Sequence, residues 1–277
     1  MNLGFIGTGS MGSILIEAFL RSGAVRPTDI IAVNRTKAKA VHLANKYPGL
    51  GVADHASQAA AHSDLIFICV KPMEFCQVIP ELRPAVTPQH IVISITSPVL
   101  IRHLEEQLPC KIAKVIPSIT NDQLSGATLC MYSDRMAEAD RELLERLLFH
   151  ISTPIRVEEA YTRVCSDLSS CGPAFLAYFI EQFVQAAVQI TGIPEEQATR
   201  LASEMVLGTG KLLTSGGFTP QTLQQRVSVP GGITSEGLRL LAEVLSGVFP
   251  RLIRTTHIKY EDERNKIEAA LRRLKTD

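Results

Sequence analysis

The chain has 277 residues, 45% hydrophobic and 20% charged, long enough for two domains and too apolar for an extended disordered tract. Lys plus Arg equals Asp plus Glu, 28 against 28, so no basic field exists to attract nucleic acid or anionic lipid. The longest apolar stretch, Ala174 to Ile190, is interrupted by Glu181, Gln182, Gln185 and Gln189 and reads as a buried helix rather than a membrane span.

From Asn2 to about Glu158, short β-branched runs alternate with helical patterns, the signature of a parallel sheet with crossover helices. Met1 to Gly12 is already a strand and a turn, without the charged and apolar regions of a signal peptide, so a cytoplasmic location is expected. Strands are predicted at Leu3–Gly7, Asp29–Asn34, Gly51–Ala53, Leu65–Val70, Ile91–Thr96, Ile112–Ile116, Thr128–Tyr132 and Pro154–Val157. Continuous apolar runs such as Leu65 to Val70 predict strands covered on both faces, which gives an α/β, doubly wound, Rossmann-like domain over residues 1–159.

After Glu158 strand-like runs vanish, so residues 160–277 are expected to form an all-α domain. Its helices are predicted from about Pro173 to Thr191, from Pro194 to about Leu213, after Thr219-Pro220, and from near Ser235. Phe249-Pro250 should bend or break the final pattern before Arg251, because proline cannot complete the helical hydrogen-bond ladder. The helix from Pro173 is apolar nearly all round, and a second subunit is expected to cover part of it. The six cysteines show no C-x-x-C spacing and read as free thiols; no metal is expected.

Gly7-Thr8-Gly9-Ser10-Met11-Gly12 is G-x-G-x-x-G, directly after the first strand and before a helical pattern. The glycines permit a tight turn, close approach of a pyrophosphate and close helix packing, while free helix N–H groups face the phosphates. Where an NAD site places an acid on the ribose 2′-hydroxyl, this chain has Asn34-Arg35-Thr36. Arg35 can grip a 2′-phosphate bidentately, favouring NADPH while leaving NADH usable; the alternative is a solvated basic helix start. Val70, Lys71 and Pro72 end the fourth strand, where backbone can line the nicotinamide half. In the helical half, Val229-Pro230-Gly231-Gly232-Ile233-Thr234 frees the backbone before a helix start, a place for a small carboxylate or simply a capped loop.

These segments, with Cys171-Gly172-Pro173-Ala174, fall in the order and spacing of the pyrroline-5-carboxylate reductases, which the chain resembles over essentially its whole length. Within that family it looks most like the divergent ComER branch encoded in late competence operons. The resemblance implies reduction of a cyclic imino acid, pyrroline-5-carboxylate, to L-proline by NADPH, in a homodimer or higher oligomer whose helical domains interlock at the site. It also implies that the backbone of Gly231, Gly232 and Ile233 holds the substrate carboxylate, that the Thr234 hydroxyl meets the ring nitrogen as the catalytic contact, and that Cys171 lines the substrate site. The chain departs from the family where Val229 replaces the usual Ser before Pro-Gly-Gly and Ser97-Pro98 replaces Ala-Gly. Two other readings follow: a ComER-type regulator retaining the fold and cofactor pocket, and a β-hydroxyacid dehydrogenase. Against the last, there is no lysine between Pro173 and Thr191 to match that family's catalytic lysine.

Overall fold

The computed structural model describes residues 1–274. Eight strands form one sheet: β1 Leu3–Ile6, β2 Ile30–Val33, β3 Gly51–Val52, β4 Leu65–Ile68, β5 Ile91–Ser94, β6 Lys111–Ile116, β7 Ala127–Tyr132 and β8 Thr153–Arg156. Their spatial order is β3-β2-β1-β4-β5-β6-β7-β8, and every pairing is parallel except β6 with β7. The chain runs outward from β1 to β3 and then crosses back to β4, so β1 and β4 flank the point where strand order reverses. Ligands bind outside the carboxyl ends of strands at such a switch point.

Helices cover both faces because the strands are apolar on both. On one face, Phe5 of β1 stacks on Phe67 of β4, with ring centroids 4.9 Å apart. They pack under Leu15, Ile16 and Phe19 of α1 (Ser10–Arg21), Leu43 of α2 (Lys37–Lys46) and Leu144 and Leu148 of α6 (Glu138–Phe149). The other face carries α3 (Ala56–Ala61), α4 (Phe75–Leu82) and α5 (Ile101–Glu105). Among the described residues no helix is long and apolar enough to cross a membrane.

The remaining helices are α7 Thr162–Leu168, α8 Gly172–Thr191, α9 Glu195–Thr214, α10 Pro220–Val227, α11 Ile233–Val244 and α12 Val248–Arg273. Contacts divide the chain into two compact units, Met1–Gly172 together with the chain from Thr255 onward, and Pro173–Arg254. This differs from a single cut near residue 160. The reason is packing: Thr162 and Ser166 of α7 are buried, and Ile267 and Leu271 of α12 enter the core beneath the sheet. Arg102 of α5 pairs with Glu268 of α12 at 2.9 Å on the rim of that contact.

The expected break at Phe249-Pro250 lies elsewhere. The chain turns before α12, where Gly247 adopts φ +77°, and Pro250 falls in the first turn of the new helix. There an N–H has no carbonyl partner, so its loss costs nothing in hydrogen bonding.

Candidate functional site

A cleft of about 440 Å³ opens at the carboxyl ends of β1, β2 and β4. Gly7, Gly9, Asn34, Arg35, Thr36, Val70 and Lys71 all line it, so the three segments singled out in the sequence converge. The glycines have separate duties. Gly7 adopts φ +100°, and a Cβ there would stand 2.6 Å from the Cys69 carbonyl oxygen. At Gly12 a Cβ would stand 2.2 Å from the Gly7 carbonyl oxygen, so only glycine lets α1 start this close to β1. Gly9 meets nothing within 4 Å; its missing side chain leaves open space. Gly9 is also the N-cap of α1 and supplies no side-chain cap, so the first N–H groups of the helix are not closed off by the protein's own side chain.

Asn34 does structural work in this turn. Its Oδ1 accepts the Thr8 N–H at 3.0 Å, and its Nδ2 donates to the Thr36 carbonyl at 3.1 Å, tying the glycine turn to the end of β2. An aspartate could make the first bond and not the second. Thr8 is buried, and its Oγ1 has no partner, as is true of the Ser97 Oγ on the loop after β5. Ser10 is exposed, Met11 half-buried and Gly12 buried beneath the turn. Pro72 opens the 3₁₀ turn that follows β4.

Sequence reasoning missed the acids of the cleft. Glu74 Oε1 lies 2.8 Å from Arg35 Nη1, and its Oε2 accepts the Lys71 N–H at 3.0 Å. Asp54 holds Lys37 at 2.5 Å. Glu74 stands three residues after Lys71 in a short helical turn opened by proline, the position from which a glutamate side chain can accept the N–H at the turn's start; that spacing is a signal in the sequence that could have pointed to Glu74.

The second predicted element belongs to the helical unit. Gly231 adopts φ +74°, Gly232 caps α11 without a side-chain bond, and Gly232 N–H donates to the Val229 carbonyl at 2.9 Å. Thr234 and Ile233 are exposed in the first turn of α11. A Cβ at Gly232 would meet Val229 Cγ2 at 2.8 Å. Cys171 lies in the sheet unit, where its Sγ accepts from Arg163 Nη2 at 3.0 Å; the same guanidinium pairs with Asp167 at 2.8 Å. All six cysteines are unbridged, and burial pushes the Cys110 and Cys130 thiols up to about 11, which removes them as nucleophiles near neutral pH.

Known proteins place the chain. A family model described as pyrroline-5-carboxylate reductase dimerisation matches residues 159–262, and one described as NADP oxidoreductase coenzyme F420-dependent matches residues 2–98. ComE operon protein 4 of Bacillus subtilis (strain 168) is 41% identical, over 95% of this chain and 96% of that one. Pyrroline-5-carboxylate reductase 3 of the same organism is 30% identical, over 94% and 95%. The solved reductase from Coxiella burnetii superposes with a TM-score of 0.82 at 25% identity, covering 97% of this chain and 98% of its own. The reductase from Plasmodium falciparum, solved with NADP bound, gives 0.80 at 23%, covering 98% of each chain. Full-length similarity of this kind, on a doubly wound sheet followed by helices, makes the chain a member of the pyrroline-5-carboxylate reductase family.

Proposed function

We propose that the chain is an NADPH-dependent reductase of a cyclic imine, pyrroline-5-carboxylate to L-proline or a close relative, working as a homodimer. Residues 1–159 are assigned to the cofactor and 160–277 to substrate and dimerisation. The observation that carries this reading is the glycine turn. Two of its glycines are required by backbone contacts, while the third opens space in front of an uncapped helix start. The buried, unpartnered Thr8 hydroxyl fits the same group, since a polar atom left so costs stability unless something meets it.

Gly7 to Gly12, Asn34 to Thr36 and Val70 to Pro72 would hold the dinucleotide, with Asn34 acting through the Thr8 and Thr36 backbone. When bound, the reduced nicotinamide supplies the hydride. The chain's own residues would fix the substrate: the backbone of Gly231, Gly232 and Ile233 holds the carboxylate, with the Gly232 N–H closing the turn onto Val229, and Thr234 meets the ring nitrogen, with Cys171 lining the pocket. A protonated imine is already electrophilic at carbon, so positioning supplies much of the rate and no carboxylate or histidine catalyst is needed. The named reductases among the relatives, and NADP in the Plasmodium falciparum protein, support the assignment.

The test is NADPH oxidation with pyrroline-5-carboxylate by wild type, Thr234→Ala and Val229→Ser. Loss of an oriented hydrogen bond to a charged group predicts a fall of about 10- to 100-fold for Thr234→Ala. Val229→Ser restores a donor beside the carboxylate and should raise turnover. Unchanged activity in Thr234→Ala removes the imine contact.

A second reading, a regulator that keeps the cofactor pocket, is favoured by Val229, an exposed aliphatic side chain with no donor to offer. Complementation of a proline auxotroph separates the two. Robust rescue supports the reductase; tight NADPH binding without rescue supports the regulator.

A further inference from the structure

The cleft carries an anion of its own where the proposed cofactor carries one. Glu74 sits in the turn after β4, and its two carboxylate oxygens have different partners. One accepts the Lys71 N–H at 3.0 Å and closes the turn; the other lies 2.8 Å from the Arg35 guanidinium, which comes from the end of β2. The carboxylate is 28% exposed and the arginine 80%, so a fixed acid is met by an arm that reaches to it. A 2′-phosphate docking on Arg35 must displace Glu74 or share the cation with it, and two anions held on one guanidinium repel each other. A ribose 2′-hydroxyl meets the reverse situation, because a carboxylate is an acceptor for it.

We propose that Glu74 is a specificity-determining residue of the cleft: its carboxylate competes with the 2′-phosphate for Arg35, holding down the preference for NADPH and keeping NADH usable. The inference rests on the cofactor reading above. Lys37 is likewise paired with Asp54, which follows β3 and also lines the cleft, so a second cation of the segment after β2 is met by an acid.

The test is direct binding of NADPH and of NADH to the full chain, followed by the fluorescence of the reduced nicotinamide. Wild type, Glu74→Gln, Arg35→Ala and the double variant are compared. Glutamine keeps an acceptor for the Lys71 N–H and removes the charge, so the turn is preserved. Glu74→Gln should tighten NADPH about three- to fivefold, the scale of one partly exposed ion pair, with NADH unchanged or weaker. In the Arg35→Ala background the same substitution should leave the NADPH-to-NADH ratio alone. The proposal is overturned if Glu74→Gln moves both nucleotides equally, moves neither, or still tightens NADPH without Arg35. Wild type that binds neither nucleotide overturns the cofactor reading itself, and this inference with it.

Discussion

Adding one carbon at Gly12 and at Gly9 has opposite consequences. At Gly12 it would meet backbone at 2.2 Å; at Gly9 it would meet nothing. Gly12→Ala is therefore expected to destabilise by about 2 kcal/mol or more through overpacking against rigid backbone, read as a lower urea midpoint. Gly9→Ala should cost no more than about 1 kcal/mol, because alanine caps a helix less well than glycine but meets no clash here, and yet weaken NADPH binding at least about tenfold, because the methyl would enter the space that the proposed pyrophosphate contact needs. Equal nucleotide affinity in Gly9→Ala would remove the pyrophosphate from this turn. The steric demand for glycine at 7 and 12 is legible in the sequence because the G-x-G-x-x-G spacing encodes it. The pairing of Arg35 with Glu74 was not, since it joins residues far apart in the chain that only the sheet brings together.

His103 gives a second test at this scale. Its Nδ1 accepts the Leu100 N–H at 3.2 Å, and its buried Nε2 has no partner. Burial, and then the neighbouring Arg102 charge, holds its pKa below the usual 6.5. The unfolded chain thus takes up this proton first. Stability is full above the unfolded value and is lost as pH falls below it toward the folded one. Asparagine supplies an acceptor that does not titrate, so His103→Asn should lose less melting temperature than wild type between about pH 7.5 and about pH 5.5. An identical loss in both proteins would clear His103 of any part in the acid limb.

Elements were read from the sequence with their order intact, and the errors sit at their ends. The apolar runs predict strands through Gly7, Asn34, Val70 and Thr96, and the strands stop short of all four. An apolar run signals burial, and it does not signal where pairing stops. The last helix shows what a local rule omits. Proline marked the break, whereas glycine makes it, and Pro250 is accommodated because the first helical turn asks nothing of its nitrogen. Pro250→Ala should accordingly change stability by no more than about 0.5 kcal/mol. Ile267→Ala, at a side chain only 1% exposed beneath the sheet, should cost about 2–5 kcal/mol, both read from urea midpoints. A small effect at Ile267 would mean that α12 contributes little to the core it enters. Amphipathic periodicity could announce that helix; it could not say which core would receive its apolar face.

At the scale of the whole molecule, the helical unit is short of core. Its buried hydrophobics are Val184, Ala198 and Ala202, while Phe183 and Ile190 of α8 are 68% and 81% exposed and Leu201 and Met205 of α9 are exposed as well. Two alanines and a valine offset little of the entropy lost in ordering four helices. The all-round apolar pattern of residues 173–191 already announced a missing cover, and the match of 159–262 to a dimerisation model supports a second copy as that cover. Wild type is expected to run as a dimer, or a multiple of one, in light scattering at micromolar concentration. Phe183→Glu places a charge where the partner would desolvate it, so it should shift the mass toward monomer and lower the melting temperature. A well-folded wild-type monomer would leave those side chains facing water and would require another explanation for their exposure. The Phe183→Glu arm also bears on the chemistry: if the site is completed by pairing, NADPH should still bind the separated chain while turnover on the imine is lost. Retention of full turnover by a monomer would place both halves of the chemistry within one chain.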